Sequence, residues 1–365
     1  MPLILVDLLS YTGTKGGMET YARELYRQLG ARNDGFEYVG FASSELMKLD
    51  QSWFPGTIVD SKISGENRFT WAYGELFAVA RYAKKIGADL IHSPATLGPM
   101  KSSMPTVITM HDMLYFSHPQ YMSTALYTEP VKWMEKRAAK NATRVLTISS
   151  QSAGDIQKYL GVAQSRIDLV PLAGTATAPV DRIETDVASE KMILATGNRR
   201  PHKNWEGLVR ALALVDPAVR PQLVVTGSRG NDPLAPVVAE LGLEQWVTLK
   251  SWISSEEMAE LYARATVLAM PSFCDGFSLP ALEAMMAGIP VIMSDLPVYR
   301  EVAADAAMYF VPENLQSIAD TITNAMTQPE LLATAIERGY LQAATFSWER
   351  TAEGTAASFN AALAR

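Results

Sequence analysis

Residues 271–285 read Pro271-Ser272-Phe273-Cys274-Asp275-Gly276-Phe277-Ser278-Leu279-Pro280-Ala281-Leu282-Glu283-Ala284-Met285. A short apolar run, Val267–Met270, precedes them, and a second one, Pro290–Met293, follows. That makes a strand, a loop, a helix from Pro280 to Ala287 and another strand. Proline suits the first helical position, where its missing N–H has no partner to lose. Asp275 falls on the loop, and Glu283 about one turn into the helix. Gly276 lets the backbone come close to another group. The N–H groups from Gly276 to Leu279 sit at the positive end of a helix, a ready place for a phosphate. Two carboxylates for sugar hydroxyls therefore stand beside donors for a diphosphate. On spacing alone, Glu283 as a partner of the helix dipole and Asp275 as a turn residue is an equal reading.

The same strand–loop–helix unit recurs outward in both directions. Strands are expected at Leu3–Val6, Tyr38–Phe41, Thr57–Val59, Leu90–His92, Thr106–Met110, Arg144–Ile148 and Ile167–Pro171. Helices are expected at Met18–Leu29, Trp71–Ile86, Pro130–Asn141 and Ser150–Leu160, from apolar residues three and four apart. The small, polar, turn-forming stretch 173–190 reads as a linker. Strands then resume at Met192–Thr196, Leu223–Thr226 and Val247–Leu249. Helices are expected at Trp205–Val215, Pro233–Leu241, Ser255–Arg264 (with a Ser255 cap) and Ser317–Met326. Two alternating β/α sets argue an α/β chain of two Rossmann-like, doubly wound parallel sheets. Their domains are expected at 1–172 and 191–345, with 346–365 as a closing segment. Right-handed crossovers put the loops after each strand along one edge, where ligands bind, with a cleft expected between the two edges.

Composition narrows the function classes. The 365 residues are 48% hydrophobic and 19% charged, which excludes a disordered chain. One cysteine excludes a disulfide framework and a multi-cysteine zinc site. No run of 18 apolar residues is present, so no membrane-spanning helix is expected. The N-terminus has no basic lead-in and meets Asp7, unlike a secretory signal, so a cytoplasmic location is expected. Residues 1–172 carry 18 Lys and Arg against 16 Asp and Glu; the remainder carries 14 against 23. Neither half has the basic excess of a nucleic-acid binder. Lys132, Lys136, Arg137, Lys140 and Arg144 make one basic helix face, read first as solvated and second as a contact for anionic lipid headgroups at the inner face of a membrane.

The stretch from Asp275 to Glu283 resembles the signature of the retaining, nucleotide-sugar-dependent glycosyltransferases of family four, which have the GT-B fold. That signature reads Glu-Gly-Phe-Gly-Leu-Pro, two variable residues, then Glu. Here Asp275 stands for the first Glu and Ser278 for the second Gly, while Gly276, Phe277, Leu279, Pro280 and Glu283 match. The resemblance implies that Glu283 holds the ribose hydroxyls of the donor and that Asp275 acts at the transferred sugar. It also implies that backbone N–H groups of Gly276, Phe277, Ser278 and Leu279 meet phosphate and sugar.

Thr196-Gly197-Asn198-Arg199-Arg200-Pro201-His202-Lys203-Asn204 resembles the basic loop of the same family, which neutralises the donor diphosphate. Lys203 matches the lysine, and Arg199 stands one place beyond the usual arginine. Thr14-Lys15-Gly16-Gly17-Met18-Glu19 resembles the family's Gly-Gly-x-Glu loop, which places Gly16 and Gly17 beside the phosphate and the acceptor. Thr109-Met110-His111-Asp112 resembles its His-Asp pair, with His111 contacting the transferred sugar and Asp112 orienting it. His92 has no motif support.

The implied activity moves a hexose-type sugar from a nucleoside-diphosphate sugar to a hydroxyl of a glycan, lipid-linked or small-molecule acceptor. No cofactor is expected, and no metal, since the chain has no Asp-x-Asp pair and cations of the protein would meet the diphosphate. A G-x-x-x-x-G-K-[ST], a G-x-G-x-x-G and a G-x-S-x-G are also absent. A nucleotide-sugar epimerase, a phosphorylase and a non-catalytic nucleotide-sugar-binding protein stay open as alternatives.

Overall fold

The structure, a computed structural model, describes residues 1–32, 34–122, 125–175 and 190–364, the side chains of 125–127 apart. The linker expected at 173–190 falls mostly outside the described residues. Two compact units emerge: Met1–Ala173 together with Ser347–Arg365, and Gly174–Phe346.

In the first unit, β1 (Leu3–Leu8), β2 (Glu37–Ala42), β3 (Thr57–Asp60), β4 (Leu90–Ser93), β5 (Thr106–Met110), β6 (Arg144–Thr147) and β7 (Ile167–Leu169) pair in the order β3-β2-β1-β4-β5-β6-β7. Every pairing is parallel; Ile4 faces Tyr38 on one side and Leu90 on the other. In the second unit, β8 (Met192–Thr196), β9 (Gln222–Ser228), β10 (Val247–Ser251), β11 (Val267–Met270), β12 (Val291–Ser294) and β13 (Ala307–Phe310) pair in the order β10-β9-β8-β11-β12-β13, again all parallel. In both sheets the strand order reverses beside the first strand, at β1/β4 and at β8/β11. Ligands of doubly wound folds bind beyond the strand ends at such a reversal.

Central strands carry apolar runs because both faces are covered. Leu5, Phe41, Val79 and Ile91 close one layer of the first unit, and Ile108, Val145 and Ile156 another. Ile193, Leu208, Leu212, Val225, Val267 and Ile318 centre the second. The helix Trp348–Leu363 returns to the first unit. Thr351 donates to the Pro171 carbonyl at 2.8 Å, and Trp348 packs 6.5 Å from the Tyr21 ring.

Several boundaries differ from the sequence expectation. Ser254, not Ser255, caps the helix Ser255–Arg264, its hydroxyl accepting from Glu257 N–H at 3.1 Å. The helix expected from Pro130 runs Ala125–Asn141 with that proline inside. The expected helix Trp71–Ile86 is three pieces: α-helix Arg68–Tyr73 capped by Asn67, a π turn Gly74–Ala78, and α-helix Val79–Ile86.

The π turn carries Glu75, buried against Asp7 at the end of β1. Asp7 accepts from Leu9 N–H and the Ser93 hydroxyl; Glu75 accepts from the Ser10 hydroxyl at 3.1 Å. Burial raises the proton affinity of both carboxyls, and the charge on Asp7 pushes Glu75 further, well above its ordinary range.

Candidate active site

The loop after β8 is built around a buried arginine. Arg199 gives Nε to the Asp232 carboxylate at 3.1 Å, Nη1 to the carbonyls of Thr226 and Gly197, and Nη2 to Asp232 and the Val225 carbonyl. A guanidinium has five N–H donors, and all five are committed inside the unit. Burial raises the Asp232 carboxyl, but the Arg199 hydrogen bonds outweigh it and hold the group below its usual value. Arg199, expected to meet the diphosphate, therefore has its donors engaged within the unit, where its charge shapes the loop. Gly227 permits the close approach, since a Cβ there would stand 2.5 Å from the Gly197 oxygen.

Beyond Arg199 the chain makes a 3-10 turn, Pro201–Lys203, and Asn204 takes a left-handed conformation (φ 53°) before the helix Trp205–Leu214. Asn204 Nδ2 ties that corner to the Pro312 carbonyl at 3.0 Å. The turn is zipped to the loop after β11. Phe273 N–H donates to the His202 carbonyl at 2.8 Å, and Lys203 Nζ lies 2.7 Å from Asp275 Oδ2. The Tyr299 hydroxyl donates to the same Oδ2 at 2.9 Å, and Gly276 N–H donates to Oδ1 at 3.0 Å. Burial pushes the Asp275 carboxyl up; the Lys203 charge and these hydrogen bonds prevail and hold it below the usual carboxylate range. Asp275 is therefore an oriented anion at neutral pH.

The Gly276 N–H, expected to face phosphate and sugar, donates to the neighbouring Asp275 carboxylate. Phe277 is buried and meets the Phe346 ring edge-on at 5.8 Å, which anchors the loop. Ser278 occupies the N-cap position of the helix Leu279–Met286 without a capping side-chain bond; its hydroxyl is buried and has no hydrogen-bond partner among the described residues. Pro280 sits in the first turn as expected. Glu283 follows, half-buried, its Cγ 3.5 Å from where a Cβ on Gly174 would stand. Burial, then the charge of Glu283, raise the buried Tyr262 phenol.

In the first unit Gly16 adopts φ 62° and opens the helix Gly17–Ala31, its carbonyl accepting from Glu19 and Thr20 N–H. Glu19 Oε1 gathers the N–H groups of Thr12, Gly13 and Thr14 at 2.7, 2.8 and 3.2 Å, so one buried carboxylate fixes the whole loop. Gly17 is exposed beside it. His111, buried after the end of β5, donates Nε2–H to the Pro94 carbonyl at 2.9 Å, and Tyr21 of the glycine-loop helix packs edge-on at 5.0 Å. Because a carbonyl only accepts, the Nδ1 of the neutral ring carries the lone pair. Burial lowers the His111 pKa, and the Pro94 carbonyl offsets this only in part. The ring bonds the Pro94 carbonyl, and Asp112 Oδ1 accepts from Leu114 N–H at the start of a short helix.

His92 lies inside a buried chain. Its Nδ1 meets the Tyr26 hydroxyl at 2.5 Å and its Nε2 the Thr109 hydroxyl at 3.0 Å, which in turn meets the Tyr21 hydroxyl at 3.0 Å. Burial takes its pKa down to about 3. Four residues with defined work had no role from the sequence: Glu19, Tyr21, Asp232 and Tyr299. Glu19 stood inside a quoted motif, whereas Asp232 and Tyr299 are 33 and 24 residues from their partners. Among the described residues, no group of three or more His, Cys, Asp or Glu could hold a metal ion, and no helix is long and apolar enough to cross a membrane.

Comparison with known proteins adds the following. The family described as Glycosyl transferases group 1 matches residues 181–342, and the one described as Glycosyltransferase Family 4 matches residues 15–173. O-antigen chain mannosyltransferase B of Escherichia coli is 30% identical over 259 residues, covering 67% of either chain. MMP alpha-(1->4)-mannosyltransferase of Mycolicibacterium hassiacum is 31% identical over 296 residues, 76% of this chain and 71% of that one. In fold, sucrose-phosphate synthase from Thermosynechococcus elongatus superposes with a TM-score of 0.78 at 21% identity, over 99% of this chain and 98% of that one. Anabaena Alr3699/HepE, solved in complex with UDP-glucose, superposes at 0.74 and 17% identity over 99% of either chain.

Proposed function

Since the chain belongs to the group 1 and family 4 glycosyltransferases, with the GT-B fold of two Rossmann-like domains, we propose that it moves a hexose-type sugar from a nucleoside-diphosphate sugar to an acceptor hydroxyl with retention of anomeric configuration. The acceptor class is a glycan, a lipid-linked saccharide or a small molecule, and the setting is cytoplasmic. Relatives named as mannosyltransferases make mannosyl donors the first to try. The single observation behind the reading is the Lys203–Asp275 pair, which joins the two donor motifs.

In this reading the second unit takes the donor. Glu283 binds the ribose hydroxyls, and Asp275 orients hydroxyls of the sugar. An ammonium has three donors, and Asp275 uses one, so two remain for the diphosphate. The departing nucleoside diphosphate gains negative charge in the transition state; a cation fixed beforehand stabilises it without reorganisation. The N–H groups of Phe277, Ser278 and Leu279 add the helix start to that field. No metal is invoked for the charge.

The first unit takes the acceptor at Gly16 and Gly17. His111, neutral, accepts a hydrogen bond from a hydroxyl of the transferred sugar at Nδ1. The sugar C1–O bond to phosphate breaks as the acceptor oxygen bonds C1 on the same face, and the leaving phosphate oxygen takes the acceptor proton. Retaining glycosidases instead use a carboxylate nucleophile, and none is assigned here. The test is product analysis with a panel of uridine, guanosine and adenosine diphosphate sugars and an acceptor library. An α-linked product from an α-linked donor, with release of the nucleoside diphosphate, supports the proposal. Donor turnover without an acceptor moves the assignment to an epimerase, phosphate-dependent cleavage to a phosphorylase, and binding without turnover to a sensor.

A further inference from the structure

Both sheets reverse strand order beside their first strand. In the second unit the two loops at that reversal carry Lys203, after β8, and Asp275, after β11. The corresponding loops of the first unit follow β1 and β4. The loop after β1 leads to Gly16 and Gly17. The loop after β4 starts at Pro94, and the two strand ends are tied where the Ser93 hydroxyl donates to Asp7 at 3.1 Å. By the rule for doubly wound sheets, a ligand of the first unit lies against these two loops.

The chain turns sharply after β4. Thr96 has φ 72°, and Leu97 N–H donates to the Ala95 carbonyl, two residues back, at 2.9 Å. This is a γ-turn with positive φ at its centre, the rare and strained form. Among the described residues, Lys62, Thr96, Asn204 and Ala304 have positive φ without being glycine, and Thr96 alone of these is β-branched. Branching at Cβ makes the conformation costly, whereas glycine holds it freely. Such strain persists where the surroundings over-determine it, and it clusters at ligand-binding positions. Two bonds over-determine this turn, and both reach the segment that carries His111. Thr96 N–H donates to the Thr109 carbonyl at 2.8 Å, and the Pro94 carbonyl accepts from His111 Nε2–H at 2.9 Å. Thr96 is therefore fixed relative to the His111 ring. Its side chain is partly exposed, and its hydroxyl has no hydrogen-bond partner among the described residues.

We infer that Thr96 selects the acceptor: its hydroxyl, held by the strained turn beside His111, hydrogen-bonds a hydroxyl of a saccharide seated against the loops after β1 and β4. The inference rests on the transfer reaction proposed above and names a residue that chooses its acceptor. A hydroxyl both donates and accepts, so one threonine can meet a sugar hydroxyl in either sense. A site built around such a bond rejects the analogue that lacks the partner hydroxyl. The same fold position in the second unit, after β11, is where Asp275 is held for the donor sugar in that reading. Strain at Thr96 is retained because a glycine there would keep the turn and lose the hydroxyl.

The test uses the full chain, guanosine diphosphate mannose and uridine diphosphate glucose as donors, and methyl and octyl glycosides of mannose, glucose and galactose as acceptors. Initial rates give KM for donor and acceptor separately, and thermal melts give stability. Thr96→Val keeps the volume and the branch and removes the hydroxyl. It should raise the acceptor KM by about three- to tenfold, with the donor KM and the melting temperature unchanged. Thr96→Ser keeps the hydroxyl and should hold the acceptor KM within about twofold of wild type. Thr96→Gly relieves the backbone; it should melt roughly 2–4 °C higher and lose the acceptor as Thr96→Val does. Against monodeoxy forms of the best acceptor, wild type and Thr96→Val should become equal for one deoxy position, which locates the partner hydroxyl. An unchanged acceptor KM in Thr96→Val, an equal rise in Thr96→Ser, or a Thr96→Gly protein that melts below wild type overturns the inference while the transfer reaction stands. Absence of any glycoside product from wild type rejects the transfer reaction itself, and the inference with it.

Discussion

Lys203 Nζ lies 2.7 Å from Asp275 Oδ2, across a separation of 72 residues. The two side chains are 16% and 17% exposed, so the ion pair is largely withdrawn from water. Removing Lys203 leaves the Asp275 charge largely out of water, held only by the Tyr299 hydroxyl and Gly276 N–H.

Lys203→Ala should therefore do two things at once. It should lower kcat by about 10²-fold or more if the ammonium stabilises the leaving diphosphate. It should also cost roughly 2–3 kcal/mol of stability, because Asp275 is left charged. Lys203→Ala with Asp275→Asn should recover much of the stability and none of the activity. Glu283→Ala should keep the fold and lose most of the thermal shift given by a nucleoside diphosphate. Chemical unfolding, thermal shift and initial rates read the three effects separately. A full nucleotide shift in both single variants rejects the donor assignments.

Arg199→Ala should behave differently. Five hydrogen bonds disappear and Asp232 is stranded, so a loss of about 3 kcal/mol is expected. The nucleotide-induced shift should persist in the protein that remains folded. A folded Arg199→Ala with normal stability and a tenfold weaker nucleotide affinity would return this residue to the diphosphate.

The two buried histidines should differ in what they do for turnover. His111→Ala is expected to lower kcat by about 10²-fold and, because it empties the space beside Tyr21 and frees the Pro94 carbonyl, to cost about 1–3 kcal/mol as well. His92→Ala strands the Tyr26 and Thr109 hydroxyls and should cost about 2–3 kcal/mol, with near-normal turnover below the melting temperature. The folded-state pKa of His92, near 3, lies below its unfolded value. Its contribution is complete above about pH 6.5 and is lost as pH falls toward 3. His92→Ala should flatten that acid-side loss.

Glu75 has the opposite sign. Its folded-state proton affinity exceeds that of the unfolded chain. The folded state therefore holds the extra proton above about pH 4.5, and stability declines as pH climbs toward the folded pKa. Glu75→Gln keeps one donor for Asp7 and one acceptor for Ser10. It should match wild type near pH 4 and melt a few degrees higher at pH 8. Parallel melting curves for the two proteins across that range would refute the raised proton affinity of Glu75.

Much of the architecture was legible because buried parallel strands read as apolar runs and the loops between them contain turn formers. Twelve expected strands correspond to observed ones. β13 escaped notice because Ala307-Met308-Tyr309-Phe310 lies at the sheet edge with three partly exposed residues, so it lacks the dense run. The helix Pro297–Ala303 is two turns long, too short for a period to register. The π turn at Gly74–Ala78 was invisible since no residue type demands it. Site motifs were visible as residues but not as partnerships. Arg199 stood in a basic loop, and only Asp232 with three carbonyls reveals that its charge is spent within the unit.

The His202 carbonyl takes the Phe273 N–H while Lys203 holds Asp275, so the segments after β8 and β11 behave as one piece. An engineer who wants a different sugar handled by this scaffold cannot graft either segment alone, since a foreign stretch would orphan its mate. Transplanting 197–204 and 271–279 as a matched set, with Tyr299 retained, is the exchange the architecture tolerates.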